Sequence, residues 1–241
     1  MEAIIIKSRY KVTQVLHVEP GYAALLAVDI ESRDKAEYLL NVYEGALSKR
    51  YVSVYDSLKH CPEFTGMFLS GGELVAAFKY KRSQNIDDVF YKGAAVDWKA
   101  RLHYAQLLFH LALTVSNYPY EIGCAAFLSR NLEVQIKDMK LAVNYIVSPI
   151  EGTSSRELIC LLTDNIHKVL IRRFCMSADE RNFLEDLDSG VYKSPVAIYS
   201  AWQGVMVKLT EEYEKVYAQG IISRAIHFTR AKLSKRRKKR K

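Results

Sequence analysis

The hydrophobic pattern of this chain changes once, near residue 80, from strand-like to helical. Before that point, five short apolar runs with period-two alternation or turn residues at their ends predict strands; they cover residues 10–16, 23–30, 37–43, 63–69 and 73–80. One stretch, 48–60, has apolar residues at helical spacing. The apolar start at residues 4–6 also reads as a strand. The five runs predict a five-stranded antiparallel sheet with one inserted helix.

The second half of the chain reads mostly as helices. Asp97 can cap a long helix that begins at Trp98 and stops at Asn117 to Pro119. Two strand-like runs follow, and then two capping boxes that open helices; the runs are 131–136 and 140–147, and the boxes are 154–157 and 177–180. The first of these helices is expected to reach about residue 174, and residues 197–219 supply one or two more. We therefore predict an α+β chain with a first lobe at 1–82, a helical lobe at 83–222 and a tail at 223–241.

Membrane spans and disulfides are not expected in this sequence. The 241 residues contain no run of 18 uninterrupted apolar residues, and the N-terminus lacks the layout of a signal peptide. The four cysteines, at positions 61, 124, 160 and 175, match no zinc-binding spacing. Scattered single cysteines are typical of a reducing cytosol, so the chain is expected to be soluble and to hold no metal.

The charge of the chain is concentrated at its end. The net charge is +8, but residues 224–241 hold ten cations and no acid, which leaves 35 − 10 = 25 basic against 27 acidic residues elsewhere. The tail closes on seven consecutive cations: Lys235, Arg236, Arg237, Lys238, Lys239, Arg240 and Lys241. Such a block stays solvated and can bind an anionic membrane surface, flank a following membrane span, or bind nucleic acid. The nearly neutral body favours the membrane interpretations, and a plain solvated tail remains an alternative.

The order of elements resembles that of protein kinases. The likeness rests on several segments: residues 10–44 as the first strands, Leu58 to Pro62 as the end of the C helix, Gly71 to Tyr80 as strand five and the hinge, Trp98 to Ser116 as the E helix, and Arg130 to Leu132 with Lys140 and Leu141 as the catalytic-loop hairpin. The resemblance implies a two-lobed protein-kinase-like fold over about residues 8–210.

Within that group, the chain is most similar to the cytoplasmic pseudokinase domain of the bacterial type VII secretion membrane proteins EssB and YukC. The likeness lies in the size, the shortened helical lobe and the closing basic stretch. It implies a scaffolding module on the cytoplasmic side of the cell membrane, with other proteins of the secretion complex as partners and the tail on the anionic membrane surface. In that family a membrane-spanning helix follows, so this chain would end just before one. A homodimer is left open.

The positions that carry phosphoryl transfer in kinases are neutral in this sequence. The resemblance places Asn41 where a kinase has its phosphate-binding lysine, and the helix at 48–60 contains no glutamate to pair with one. It places Ala126 at the catalytic aspartate, Asn131 at the catalytic-loop asparagine and Asn144 at the Mg²⁺-binding aspartate. The resemblance therefore predicts a pseudokinase with no catalytic residue, no bound ATP and no cofactor.

The phosphate loop and the remaining candidate residues lead to the same prediction. The loop at 17–22 has one glycine, with Glu19 and Pro20 where phosphates would lie. His103 and His110 share a helix face without a third metal ligand. Six tyrosines are candidate interface anchors, although packing is their default role: Tyr118, Tyr120, Tyr192, Tyr199, Tyr213 and Tyr217. The alternatives are an atypical phosphotransferase and a nucleic-acid-binding protein that uses the basic tail.

Overall fold

The first lobe contains a six-stranded antiparallel sheet in the order β1-β2-β3-β4-β6-β5. In this computed structural model the described residues are 4–91, 94–150, 155–171, 176–219 and 226–227. The strands are β1 (Ile5–Ile6), β2 (Tyr10–Glu19), β3 (Tyr22–Asp29), β4 (Glu37–Tyr43), β5 (Phe64–Ser70) and β6 (Glu73–Lys79). The expected count of five strands was wrong. The sixth strand, β1, is only two residues long and pairs with β2 through a tight turn at Lys7 and Ser8.

Alternating side chains give this sheet two buried faces. Leu40 of β4 and Val75 of β6 belong to a cluster on one face, whereas Leu39 and Phe78 belong to the main core on the other. The sheet curls far enough that Tyr10 of β2 stacks on Phe68 of β5, with ring centres 5.8 Å apart. This curl explains how Leu40, on the face away from the helices, is fully buried.

A single helix covers the inner face of the sheet. This helix, α1 (Gly45–Asp56), follows β4 directly and buries Tyr51, Val54 and Tyr55. The sequence predicted it at 48–60, so it begins and ends a few residues earlier than expected, which is the usual error at helix ends. The Tyr51 ring stacks on Tyr43 of β4, with centres 4.1 Å apart. These aromatic contacts attach α1 to the sheet.

The second lobe is built on helices around a small hairpin. Its elements are β7 (Gln84–Asn85), α2 (Ile86–Val89), α3 (Trp98–Val115), α4 (Tyr120–Phe127), β8 (Leu132–Gln135), β9 (Lys140–Val143), α5 (Ser155–Leu170), α6 (Ala178–Asp188) and α7 (Pro195–Tyr217). Asp97 caps α3 as predicted, since its carboxylate accepts hydrogen bonds from the Lys99 and Ala100 amides. Strands β7, β8 and β9 form a separate three-stranded sheet.

Two features of the second lobe differ from a simple interpretation of the sequence. Pro119, expected only to stop α3, is also the N-cap of α4, a helix that the sequence analysis did not predict. Ser177 caps α6 as expected, and its own amide donates to the Tyr213 hydroxyl of α7 at 3.0 Å; that hydroxyl in turn donates to the fully buried Glu180. Glu180 thereby joins the beginning of α6 to α7.

One continuous hydrophobic core runs through both lobes. It extends from Tyr22 and Leu39 in the large sheet, through Phe109 of α3, to Trp202 and Tyr213 of α7. No helix among the described residues is long and apolar enough to cross a membrane. The shared core fixes the lobes against each other and defines the region between them.

Candidate functional site

The segment that follows β9 lies between the two lobes and contacts both. This segment, residues 144–150, is called the interlobe segment here. Tyr145 and Val147 within it are buried, with 2% and 0% of their surfaces exposed. The Tyr145 ring stacks on Phe78 of β6 at 5.1 Å between centres. The segment has no regular secondary structure, so its backbone groups need partners from other parts of the chain.

Asn41 supplies several of those partners from the middle of β4. Its Oδ1 accepts a hydrogen bond from the Val147 amide at 2.8 Å, and its Nδ2 donates to the Tyr145 carbonyl at 2.9 Å. The Tyr22 hydroxyl also donates to Oδ1, at 2.6 Å. Asn41 is fully buried, and β4 lies between β3 and β6 in the sheet. The amide carries its acceptor oxygen and its donor nitrogen on separate atoms, so Asn41 can bind an amide and a carbonyl of the segment side by side.

Tyrosine hydroxyls of β4 and α1 form further hydrogen bonds that hold the interlobe segment. The Tyr43 hydroxyl donates to the Val147 carbonyl at 2.7 Å and lies 2.6 Å from the Tyr55 hydroxyl. The Tyr51 hydroxyl reaches the Ser148 carbonyl at 3.5 Å. Burial raises the pKa of Tyr51 to about 12 and the pKa values of Tyr43 and Tyr55 well above their ordinary range. These hydroxyls therefore keep their protons and stay neutral donors.

Asn131 binds the segment from the second lobe, and Asn144, within the segment, binds the connection between the lobes. Asn131 donates from Nδ2 to the Ala125 and Ile146 carbonyls, at 2.7 and 3.0 Å, and its own carbonyl accepts from the Asn144 amide at 2.8 Å. The Asn144 side chain forms a double hydrogen bond with the backbone of Lys81, at 3.0 and 2.9 Å. Lys81 lies between β6 and β7, where the chain passes from one lobe to the other.

The structure therefore brings Asn41 and Asn131 to one segment, of which Asn144 is the first residue. All three are buried, at 0%, 0% and 3% exposure, and most of their side-chain polar atoms bind backbone groups. Ala126 lies in α4 rather than in a loop, is fully buried and packs in the main core. The Oδ1 atom of Asn131 is buried without a hydrogen-bond partner among the described residues.

Ionic contacts hold the outer end of the interlobe segment. Arg50 of α1 bonds to Glu121 of α4 at 3.1 Å and to the Ile150 carbonyl at 3.0 Å. Arg130 donates to the Ser148 hydroxyl at 2.5 Å. Because Arg50 belongs to the first lobe and Glu121 to the second, this pair also joins the lobes. The exposed ion pair itself contributes little to stability.

The turn between β2 and β3 lies against α1. Gly21 has φ of +74°, and a Cβ atom there would approach Leu47 Cδ1 to 3.2 Å. Its carbonyl accepts a hydrogen bond from the Glu44 amide at 2.9 Å. Glu19, beside it, has one carboxylate oxygen buried without a hydrogen-bond partner in the described structure, and its other oxygen lies 3.7 Å from His17. The turn is therefore a short hairpin held to α1, with an acidic side chain next to it.

The other residues selected from the sequence serve internal contacts or lie elsewhere. His103 bonds to the Met139 carbonyl at 2.8 Å, and His110 bonds to Gln106 and Tyr199 at 2.8 and 3.2 Å. The described ranges contain no group of three His, Cys, Asp or Glu side chains that could hold a metal ion. Tyr213 is fully buried, and the other five candidate tyrosines are partly buried. Lys235 to Lys241 lie outside the described residues.

The sequence analysis missed the tyrosines and the interlobe segment itself. Tyr22 was assigned to the loop at 17–22, Tyr43 reads as one apolar residue of a strand, and residues 144–150 read partly as strand. The sequence does contain a signal that could have found them. Tyrosines at 22, 43, 51 and 55 supply several hydroxyl donors in the first lobe, and residues 144–150 form an uncharged segment that contains Val and Ile. A pattern of that kind indicates buried donors that need acceptors.

No family model and no curated protein matches this chain, whereas solved protein kinase structures do. Rad53 residues 1–466 in complex with AMP-PNP match with a TM-score of 0.60 and 11% identity, over 80% of this chain and 65% of that one. This chain thus spans slightly less than two thirds of the Rad53 chain. The PknI kinase domain of Mycobacterium tuberculosis matches with a TM-score of 0.56 and 9% identity, over 88% and 98% of the two chains. A double mutant of that domain gives 0.54 and 11%, over 87% and 97%. At these identities the likeness shows the fold alone: the chain has the two-lobed α+β architecture of a protein kinase.

Proposed function

We propose that this chain is a protein-binding pseudokinase module that does not transfer phosphate. The observation that carries the proposal is the use of Asn41, Asn131 and Asn144 as hydrogen-bond partners of backbone between the lobes. Phosphoryl transfer needs cations and carboxylates that face an open cleft and hold a Mg²⁺-nucleotide. At the positions that the resemblance assigns to these roles, this chain carries three buried amides and the buried methyl group of Ala126. Binding of a nucleotide there would require the interlobe segment to leave its place.

The binding of ATP tests this part of the proposal. A ligand present at about a hundred times its Kd adds about 2.7 kcal/mol to stability. For a chain of this size that increment raises the Tm by about 5–10 °C. We expect no change in Tm with millimolar ATP and Mg²⁺, and no transfer of labelled phosphate to any added protein. An ATPase activity that copurifies with the chain and disappears in Asn131→Ala or Asn144→Ala would instead favour the atypical phosphotransferase.

The second part of the proposal concerns location and partners. The resemblance to EssB and YukC and the seven closing cations favour a place at the cytoplasmic side of a bacterial membrane, within a type VII secretion complex. Each basic residue near an anionic bilayer contributes about 1 kcal/mol of binding free energy. This attraction is screened by salt. A tail of this composition is therefore sufficient to hold the chain at such a surface.

Vesicle binding tests the role of the tail. The full chain is expected to sediment with vesicles containing phosphatidylserine and not with phosphatidylcholine vesicles. A variant without residues 234–241, and a length-matched variant with glutamine at 235–241, should both lose that binding. Binding that persists in both variants would contradict the proposal. A steep salt-dependent shift of duplex DNA by the truncated variant would favour the nucleic-acid alternative.

A further inference from the structure

One exposed stripe of α5 carries opposite charges on either side of a cysteine. Arg156, Cys160 and Asp164 follow one another at steps of four residues, which places them on one side of the helix, and all three are exposed. Neither the Arg156 nor the Asp164 side chain has a partner among the described residues. Eight helical residues span about 12 Å, so the two charges do not pair with each other. The stripe therefore offers a cation at one end and an acid at the other.

The stripe forms one wall of a cleft on the second lobe. The cleft has a volume of about 480 Å³, and its other wall is the end of α6 with the turn that follows it. Ile159, Leu187 and Tyr192 supply an apolar part of the lining. The charged side chains of the lining are two cations and two acids: Arg156, Lys193, Asp164 and Asp188. A lining whose charges sum to zero does not select a strongly acidic or basic partner, such as nucleic acid or the basic tail.

The order of the charges makes the stripe complementary to a second copy of itself. A two-fold axis that passes through Cys160 perpendicular to α5 brings the helix against its copy in antiparallel orientation. Arg156 of each copy then faces Asp164 of the other, because both lie four residues from the axis. The symmetry thus turns two unused charges into two reciprocal ion pairs and places the two Cys160 side chains together at the centre.

The same symmetry brings no like charges together along α5. Glu157, the remaining charge at the exposed beginning of the helix, accepts a hydrogen bond from the Tyr120 hydroxyl at 2.6 Å. It lies three residues from the axis and therefore faces the uncharged Thr163 of the other copy. The charge pattern along the exposed part of α5 is self-complementary as a whole.

We propose that the exposed stripe of α5 is a homodimer interface, with Cys160 on the two-fold axis. The ion pairs determine the antiparallel register, since exposed pairs contribute little free energy, and the apolar lining of the cleft adds buried area. One helix and one turn make a small interface, so the dimer is expected to be reversible. The inference goes beyond the proposed function and does not depend on it, because no contact of the interlobe segment enters the argument.

Reversal of single charges tests the interface on the full chain. Sedimentation equilibrium over about a hundredfold range of protein concentration should show a monomer–dimer equilibrium. Arg156→Asp leaves acids at both ends of the stripe, and Asp164→Arg leaves cations at both ends. Each variant alone should raise the dimer dissociation constant at least about tenfold, because the change acts at two symmetry-related contacts. The double variant Arg156→Asp/Asp164→Arg restores both pairs in reversed order and should dimerise like the parent.

Mixing the two single variants separates pairing in register from general electrostatics. The Arg156→Asp chain and the Asp164→Arg chain should form a mixed dimer, although each dimerises poorly alone. Lys208→Asp and Glu211→Arg make the same changes in net charge at exposed positions of α7. These matched controls should dimerise like the parent, both alone and when mixed.

Oxidation of Cys160 tests the position of the axis. Two helices whose axes lie about 10 Å apart have facing Cα atoms about 5 Å apart, which suits a disulfide. Copper phenanthroline with dissolved oxygen should therefore remove two protons and two electrons from the two thiols and link the copies. Cys160→Ser should abolish the link and Cys175→Ser should keep it, whereas Cys61 and Cys124 are buried and should not react.

Several results would overturn the inference. They are a chain that stays monomeric at every concentration, equal effects of the α5 and α7 substitutions, no recovery in a double variant that circular dichroism shows to be folded, and no link through Cys160. A dimer that persists in both single α5 variants would belong to another face and would equally exclude this one. Phosphate transfer from ATP would sink the proposed function and leave the dimer unaffected, whereas a monomeric chain would sink only the dimer.

Discussion

Replacing Asn41 with alanine should separate the interlobe segment from the sheet. The substitution leaves three groups without their partner in a fully buried place: the Tyr22 hydroxyl, the Val147 amide and the Tyr145 carbonyl. A buried polar group left unpaired costs about 1–3 kcal/mol. Partial relaxation of the Tyr22 hydroxyl lowers the sum, so we expect Asn41→Ala to reduce the free energy of unfolding by about 3–5 kcal/mol. That is a large part of the roughly 5–15 kcal/mol typical of a folded protein.

Equilibrium unfolding in urea measures this loss. Far-ultraviolet circular dichroism reports both lobes, and fluorescence of Trp98 and Trp202 reports the second lobe alone. Tyr22→Phe, which removes one donor and leaves Asn41 bound to the segment, should cost about 1 kcal/mol. Asn117→Ala, at an exposed position after α3, should stay within about 0.5 kcal/mol of the parent. A loss below about 1 kcal/mol for Asn41→Ala, at an unchanged m value, would refute the reasoning.

Three further predictions concern single side chains. Arg101 is 1% exposed and donates to the Val96 and Val169 carbonyls, so Arg101→Met should lower the free energy of unfolding by about 3 kcal/mol in the same urea assay. The Arg9 guanidinium holds the pKa of Asp29 below its usual range, so the folded state favours the ionised carboxylate. The contribution of Asp29 to stability is therefore complete above about pH 4, the pKa of an unfolded aspartate. It is lost as the pH falls through the lower pKa of the folded state. Asp29→Asn should reduce the fall of the Tm at low pH. A fall as large as in the parent would contradict the assignment of this pH dependence to Asp29. Maleimide at neutral pH should label the exposed Cys160 in the native protein and leave Cys124 unlabelled until denaturant is added, because Cys124 is buried with its pKa raised to about 11; peptide mapping by mass spectrometry distinguishes the two sites.

Most of the secondary structure followed from periodicity, because most elements have one clearly apolar side. Strand β4 was predicted at 37–43 and lies there, and α3 begins at Trp98 as its cap indicated. Helix α4 was missed because six of its eight residues are buried, which leaves no polar face to reveal a helical period. The apolar residues 4–6 were read as a strand but left out of the count of five, because so short a run shows no alternation that would place it in the sheet. Its pairing depends on the turn at Lys7 and Ser8, which contains only one common turn residue, Ser8.

The candidate site was less predictable than the fold. The family resemblance selected Asn41, Asn131 and Asn144, and in the structure the first two bind the interlobe segment while the third begins it. The contacts that unite them join side chains to backbone groups up to 106 residues away, as in the bond from the Val147 amide to Asn41. Such contacts leave no local pattern in a sequence. Whether these positions are inactive in phosphoryl transfer stays a prediction.

The hydrogen bonds around the interlobe segment also determine how the chain can be divided. A fragment that ended at residue 82 would retain Asn41 and Tyr43 on β4 but lose the backbone groups of 145–147 that satisfy them. It would also expose the part of the main core that Phe78 shares with Tyr145. The two lobes can therefore be told apart by shape, but they are not expected to fold independently of each other. Experiments that express one lobe alone would examine an incomplete molecule.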